Sequence, residues 1–200
     1  MAKKIYSAGL VSQRFWFYEV KQYLELRSMG KSDDVISSLS DTENIFGAVS
    51  QSRAREIYRT VKHRGNVLGE EMQQEFFELD IDNQKLVALI AIFLLNDLIF
   101  EFVNEVYREQ LNKGILELTI TDYKAFFSEK QRINEIVARW KPYTYSRLIS
   151  VYRNYLLEAG LIREEAGVDV ITPTVVDKRV EIWLSDMGRL DILKAITGVA

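Results

Sequence analysis

Apolar positions along this chain recur mostly at helical spacing. Trp16, Val20, Tyr23, Leu24 and Arg27 predict a first helix from Ser12 to Ser28, ended by Gly30, the residue that enters the left-handed conformation without strain. Ser32 is placed to cap a short second helix, with Asp33 and Asp34 in its first turn. Ser50 caps a third from Gln51 to about Arg64, with Ile57, Tyr58 and Val61 as its buried stripe and Gly65-Asn66 ending or kinking it. Glu70 to Leu79 reads as a short acidic helix. Asp82 then caps a helix that carries the unbroken apolar run Leu86–Leu95 and extends through Ile99, Phe102 and Val103 to Leu111, a length that suits a kink near Asn96. Gly114 stops it.

Downstream, Thr121 is the expected cap of a helix holding Tyr123, Phe126 and Phe127, and Ile133–Trp140 makes another that Pro142 closes. Thr144 caps a helix to Ala159, ended by Gly160. Leu161-Ile162-Arg163 leads into a turn at Glu165-Ala166-Gly167, and Val168, Val170 and Ile171 then alternate as a strand does. Helix, glycine stop, strand, turn and strand is the layout of a winged helix. Val175 to Ile196 supplies one or two closing helices. The expected fold is mainly all-α: a helical bundle over residues 1–130, with a helical, winged-helix-like segment over 131–200 packed on it.

Composition narrows the function. The apolar share of 48% is enough for a proper core, and only Pro142 and Pro173 interrupt the chain. The run Leu86–Leu95 is about half of the ~20 residues a membrane span needs, and Lys85, Asp97 and Glu101 flank it. It is expected to be a core helix, not a membrane segment. Cysteine is absent, which removes disulfides, thiolate zinc sites and cysteine nucleophiles. His63 is the single histidine, so multi-histidine metal sites and histidine triads are nearly impossible, and beside Lys62 and Arg64 it reads as a surface residue. Gly65 and Gly69 lack the Gly-Lys-Ser/Thr ending of a phosphate loop. Glu70-Glu71 and Asp80/Asp82 are more simply solvated or capping carboxylates than magnesium ligands. Neither an enzyme mechanism, a cofactor nor a small-molecule substrate is expected, and with no signal peptide visible the expected compartment is the cytoplasm.

Charge supplies the positive reading. The net charge is −3, yet basic residues cluster locally. Arg53, Arg55, Arg59, Lys62 and Arg64 crowd the third helix, with Arg55, Arg59 and Lys62 at i, i+4 and i+7 on one face, the row a phosphate backbone requires. A second basic stretch runs from Lys130 to Arg163. Its central helix has a polar face of Tyr143, Ser146, Arg147, Ser150, Arg153 and Asn154, residue types that hold phosphates and read base edges, and Arg163 falls at the base of the wing. Both faces also fit a solvated helix. The aromatics Trp16, Tyr23, Phe93, Phe102, Phe126, Phe127 and Trp140 read as core.

Several patterns, taken in order, resemble the BrxA family of the BREX bacteriophage-exclusion system. They are the aromatic-rich start with Glu19 and Gly30-x-Ser32; Glu43-Asn44 and the basic helix ending Lys62-His63-Arg64; the apolar Leu86–Leu95 run into Asp97 and Phe102; Trp140 and Thr144; and Leu156-Leu157-Glu158-Ala159-Gly160-Leu161-Ile162. The match spans about Tyr6 to Ile171 and lies in order and length, not in any single motif. The resemblance implies a non-enzymatic component of a phage-defence system, similar in helical build to the antitermination factor NusB. It also implies binding to nucleic acid, with duplex DNA preferred over RNA, and contact with other BREX proteins. The rival reading is a protein-interaction adaptor whose basic faces dock acidic partner surfaces.

Overall fold

The computed structural model describes residues 6–198. It is mainly α-helical, with one small three-stranded sheet. The described residues form two compact units, one from Trp16 to Ala91, the other from residues 6–15 and 92–198. The division expected near residue 130 falls inside the second unit.

The unit from Trp16 to Ala91 contains α1 (Phe17–Ser28), α2 (Asp33–Glu43), α3 (Gln51–Asn66), α4 (Gly69–Glu75) and most of α5 (Ile81–Leu95). Ser32 and Ser50 cap as the sequence predicts, accepting from the backbone N–H groups of Val35 and Arg53 at 3.4 and 3.2 Å. Asp80, not Asp82, caps α5, taking the Asn83 N–H at 2.8 Å. α1 starts at Phe17, later than expected, because Trp16 adopts a left-handed conformation with φ 54°. Its indole is buried beneath the guanidinium of Arg53, 4.8 Å from the ring centroid, and burying so large a ring outweighs a backbone cost of about 1–2 kcal/mol. Gly65 does not end α3 but lies within it. From Leu86 to Phe93 every side chain is buried, and among the described residues no single helix is long and apolar enough to cross a membrane.

In the other unit the expected long helix is broken. The chain turns by 114° at Asn96, whose side-chain amide donates to the Ile92 carbonyl, and resumes as α6 (Asp97–Phe102), a π-helical turn (Val103–Tyr107) and α7 (Arg108–Asn112). β1 (Glu117–Leu118) follows, an element too short for its period to be visible in sequence. Thr119, not Thr121, caps α8 (Ile120–Ile133), in a capping box with Asp122. The helix expected over Ile133–Trp140 is one turn, α9 (Glu135–Ala138), capped by Asn134. Pro142 opens the next helix instead of closing the last, since its missing N–H costs nothing in a first turn. That helix, α10 (Pro142–Glu158), therefore begins before Thr144. The glycine stop and hairpin are present: Gly160 has φ 77°, and β2 (Ile162–Glu165) turns through Ala166 and Gly167 into β3 (Val168–Ile171). The sheet is antiparallel in the order β1–β3–β2. Two closing helices, α11 (Lys178–Asp186) and α12 (Leu190–Thr197), occupy the tail.

Aromatic rings fill the core of this unit. Phe102 stacks on Tyr123 with centroids 4.7 Å apart and meets Phe126 edge-on at 5.3 Å, while Tyr152 packs against Phe102 and Phe127. These contacts fix which side of α10 faces inward: Leu148, Ile149, Val151, Tyr152, Tyr155 and Leu156 are all buried.

Candidate nucleic-acid interface

The basic row on α3 is largely matched by acids of its own unit. Lys62 pairs with Asp33 at 2.9 Å and Arg55 with Asp41 at 3.1 Å, both acids belonging to α2. Burial works to raise the Asp33 carboxyl, but hydrogen bonds from Lys62 and Tyr23 outweigh it and hold the group below the usual carboxylate range. The bond to Asp33 likewise raises Lys62. Arg53 pairs with Glu56 at 2.6 Å and covers Trp16. Arg64, expected at the surface, is 2% exposed, with its guanidinium 5.8 Å from the Trp16 ring; a side chain that solvent does not reach offers nothing to a phosphate. Of the row, Arg59 alone is exposed without an acidic partner among the described residues. Over the whole unit, nine basic side chains face thirteen acidic ones, a balance of −4.

Among its described residues the other unit carries fifteen basic and sixteen acidic side chains, a balance of −1, and its cations are unevenly placed. Between Ile136 and Leu157 there is no acidic residue. The outward side of α10 exposes Tyr143, Ser146, Arg147, Ser150 and Asn154, and Arg139 and Lys141 are exposed just before its first turn. Arg139, Lys141 and Arg147 have no acidic partner among the described residues. Arg139 and Lys141 belong to the basic stretch read from sequence but were not among its candidate site residues; the acid-free interval is the signal that marks them. Their placement beside a helix N-terminus adds the positive end of the dipole to their charge.

Arg153 does not join this outward face. Its Nε donates to both Asp169 oxygens, at 2.9 and 2.8 Å, and a terminal nitrogen donates to Glu164. Glu164 and Asp169 are cross-strand partners on β2 and β3, where two facing carboxylates would repel. The guanidinium lies between them and ties the hairpin to α10, and these hydrogen bonds push its own pKa further up. Arg163, at the base of the hairpin, pairs with Glu165 at 2.6 Å. The hairpin's cations are thus met by its own acids. Lys130, counted from sequence in the basic stretch, is buried and held by Glu101 and Glu105 at 2.5 and 2.7 Å. Tyr6 donates a further hydrogen bond to Glu101 at 2.7 Å, so this ion cluster belongs to the core. No grouping of three or more metal-ligating side chains occurs among the described residues.

Comparison with known proteins places the chain beside a family model, a curated relative and a solved structure. The family model described as BrxA matches residues 4–188. The BREX protein BrxA of Bacillus cereus (strain H3081.97) is 33% identical over 165 residues, which cover 82% of this chain and 82% of that protein. The crystal structure of an uncharacterized protein from Magnetospirillum magneticum superposes with a TM-score of 0.79 over 97% of this chain and 99% of that one, at 16% identity, a likeness of fold alone.

Proposed function

The chain belongs to the BrxA family, and we propose that it acts as a non-enzymatic, nucleic-acid-binding component of a BREX bacteriophage-defence system. The observation that carries this reading is the exposed side of α10 around Arg147, with no acidic residue until Glu158 in its last turn, followed by an antiparallel hairpin in a sheet of order β1–β3–β2. In this reading, helix, strand, helices and hairpin in that order serve as a winged helix whose helix before the hairpin enters the major groove of duplex DNA. Arg139 and Lys141 supply phosphate neutralisation and Arg147 the cation of the groove-facing helix; the hairpin contributes shape and not charge. The place of action in this reading is the cytoplasm, beside other BREX proteins.

A gel-shift titration with random duplex DNA tests it. Two neutralised phosphates predict that a rise from ~50 to ~200 mM salt weakens binding roughly twelvefold. An Arg139→Glu, Arg147→Glu variant should bind far more weakly at ~50 mM. If the parent protein shifts neither DNA nor RNA at low salt, the reading fails. The second reading, an adaptor that docks proteins only, is favoured by the internal pairing of the α3 cations and the acidic balance of their unit. It predicts that failure.

A further inference from the structure

The outward stripe of α10 is Tyr143, Arg147, Ser150 and Asn154, at i, i+4, i+7 and i+11, and ends on the exposed Glu158 at i+15. Its rotation is fixed from within by Leu148, Tyr152 and Tyr155. The hairpin beside it is held by the Arg153 bridge to Asp169 and Glu164. The hydroxyl protons of Ser146 and Ser150 are already used, donated to the carbonyls of Pro142 and Ser146 at 3.5 and 3.1 Å. Arg147 and Asn154 make no such bond among the described residues. Each ends in a planar fork: five donors on the guanidinium, and one donor group beside one acceptor on the amide.

The spacing of the two forks matches a nucleic-acid repeat. Seven residues advance an α-helix by about 10.5 Å and rotate it to within about 20° of the starting direction. Three base-pair steps of a duplex advance about 10.2 Å at 3.4 Å each. In the major groove guanine presents two acceptors, which suit an arginine fork, and adenine presents an acceptor beside a donor, which suits an asparagine amide.

We infer that α10 reads DNA sequence, Arg147 contacting a guanine and Asn154 an adenine about three base pairs away, while Arg139 and Lys141 hold phosphates. This inference rests on the nucleic-acid reading above and adds to it a base preference. Tyr143, 71% exposed at the start of the stripe, flanks the site, and Arg153 positions the hairpin without touching a base.

Selection from a pool of randomised duplexes, using the full chain, tests the inference. The parent should enrich a guanine and an adenine about three positions apart. Asn154→Ala should erase the preference at the adenine alone and weaken binding to the selected duplex by roughly five- to a hundredfold, with random duplex unaffected. Arg147→Ala should erase the guanine preference and leave the slope of affinity against salt unchanged. If Arg147→Ala instead weakens binding equally on every sequence and lowers that slope by about one, Arg147 holds a phosphate and the inference is overturned. Binding with no enriched base also overturns it while leaving the functional reading standing; absence of binding at low salt removes both.

Discussion

Arg147 and Arg153 lie on the same helix, and both read from sequence as outward cations. Periodicity assigns each a direction around α10, but it carries no information about an acid brought alongside from another element. Asp169 reaches Arg153 across sixteen residues of sequence, on a strand whose register also delivers Glu164. The two arginines should therefore respond differently to charge reversal. Arg147→Glu should leave the urea midpoint where it is, since an exposed charge contributes little to folding. Arg153→Glu removes charge-assisted hydrogen bonds and sets a third carboxylate beside two others, so a loss on the order of 1.5–3 kcal/mol is expected. Equal midpoints for the two variants would show that Arg153 does not clamp the hairpin.

At the scale of elements, the packing of α1 on α3 turns on Gly65. A Cβ there would lie 2.5 Å from Cε1 of Tyr23, a distance that real contacts do not reach. Tyr23 cannot withdraw easily, because it is fully buried and its hydroxyl engages Asp33 at 2.8 Å and Asn66 at 3.0 Å. Alanine would improve helix propensity by about 1 kcal/mol, while overpacking costs about 1–3 kcal/mol. The clash wins. Gly65→Ala should destabilise by up to about 2 kcal/mol, read from thermal or urea unfolding, and a more stable variant would mean that the helices separate without cost. In sequence this glycine looked like a helix end, because local rules associate glycine with termini. Close approach between helices is invisible to them. Pro142 was misplaced for a related reason: one residue can close a helix or open the next, and only the direction of the following chain distinguishes the two.

At the scale of the molecule, charge separates the units more clearly than any single residue does. Among the described residues, the unit holding α3 has a balance of −4 and the unit holding α10 a balance of −1. Binding, if it follows local potential, belongs to the second. An Arg55→Glu, Arg59→Glu variant on α3 should thus retain most of its affinity for duplex DNA, whereas Arg139→Glu, Lys141→Glu on the α10 side should lose most of it. Titrating both variants at one low salt concentration against the same duplex decides the matter. A larger loss from the α3 pair would relocate the interface to the first unit.

The mainly helical class, the burial of Leu86–Phe93, the serine caps at Ser32 and Ser50, the stop at Gly160 and the hairpin after it were all legible in sequence. Each depends on a residue and its near neighbours along the chain: a period, a capping hydroxyl, a glycine that tolerates positive φ. Family membership was legible for a different reason, since order and spacing of many weak features persist where no one motif is decisive. Tertiary structure alone decided which cations remain available. Arg64 is buried, Lys62 and Arg55 are matched by α2, Arg153 is drawn to the hairpin, and Lys130 is enclosed with Glu101 and Glu105. Arg147, with Arg139 and Lys141, stays in solvent without an acid beside it. A charge's availability is set by what folds next to it, and Coulomb interactions act through space without regard to distance along the chain.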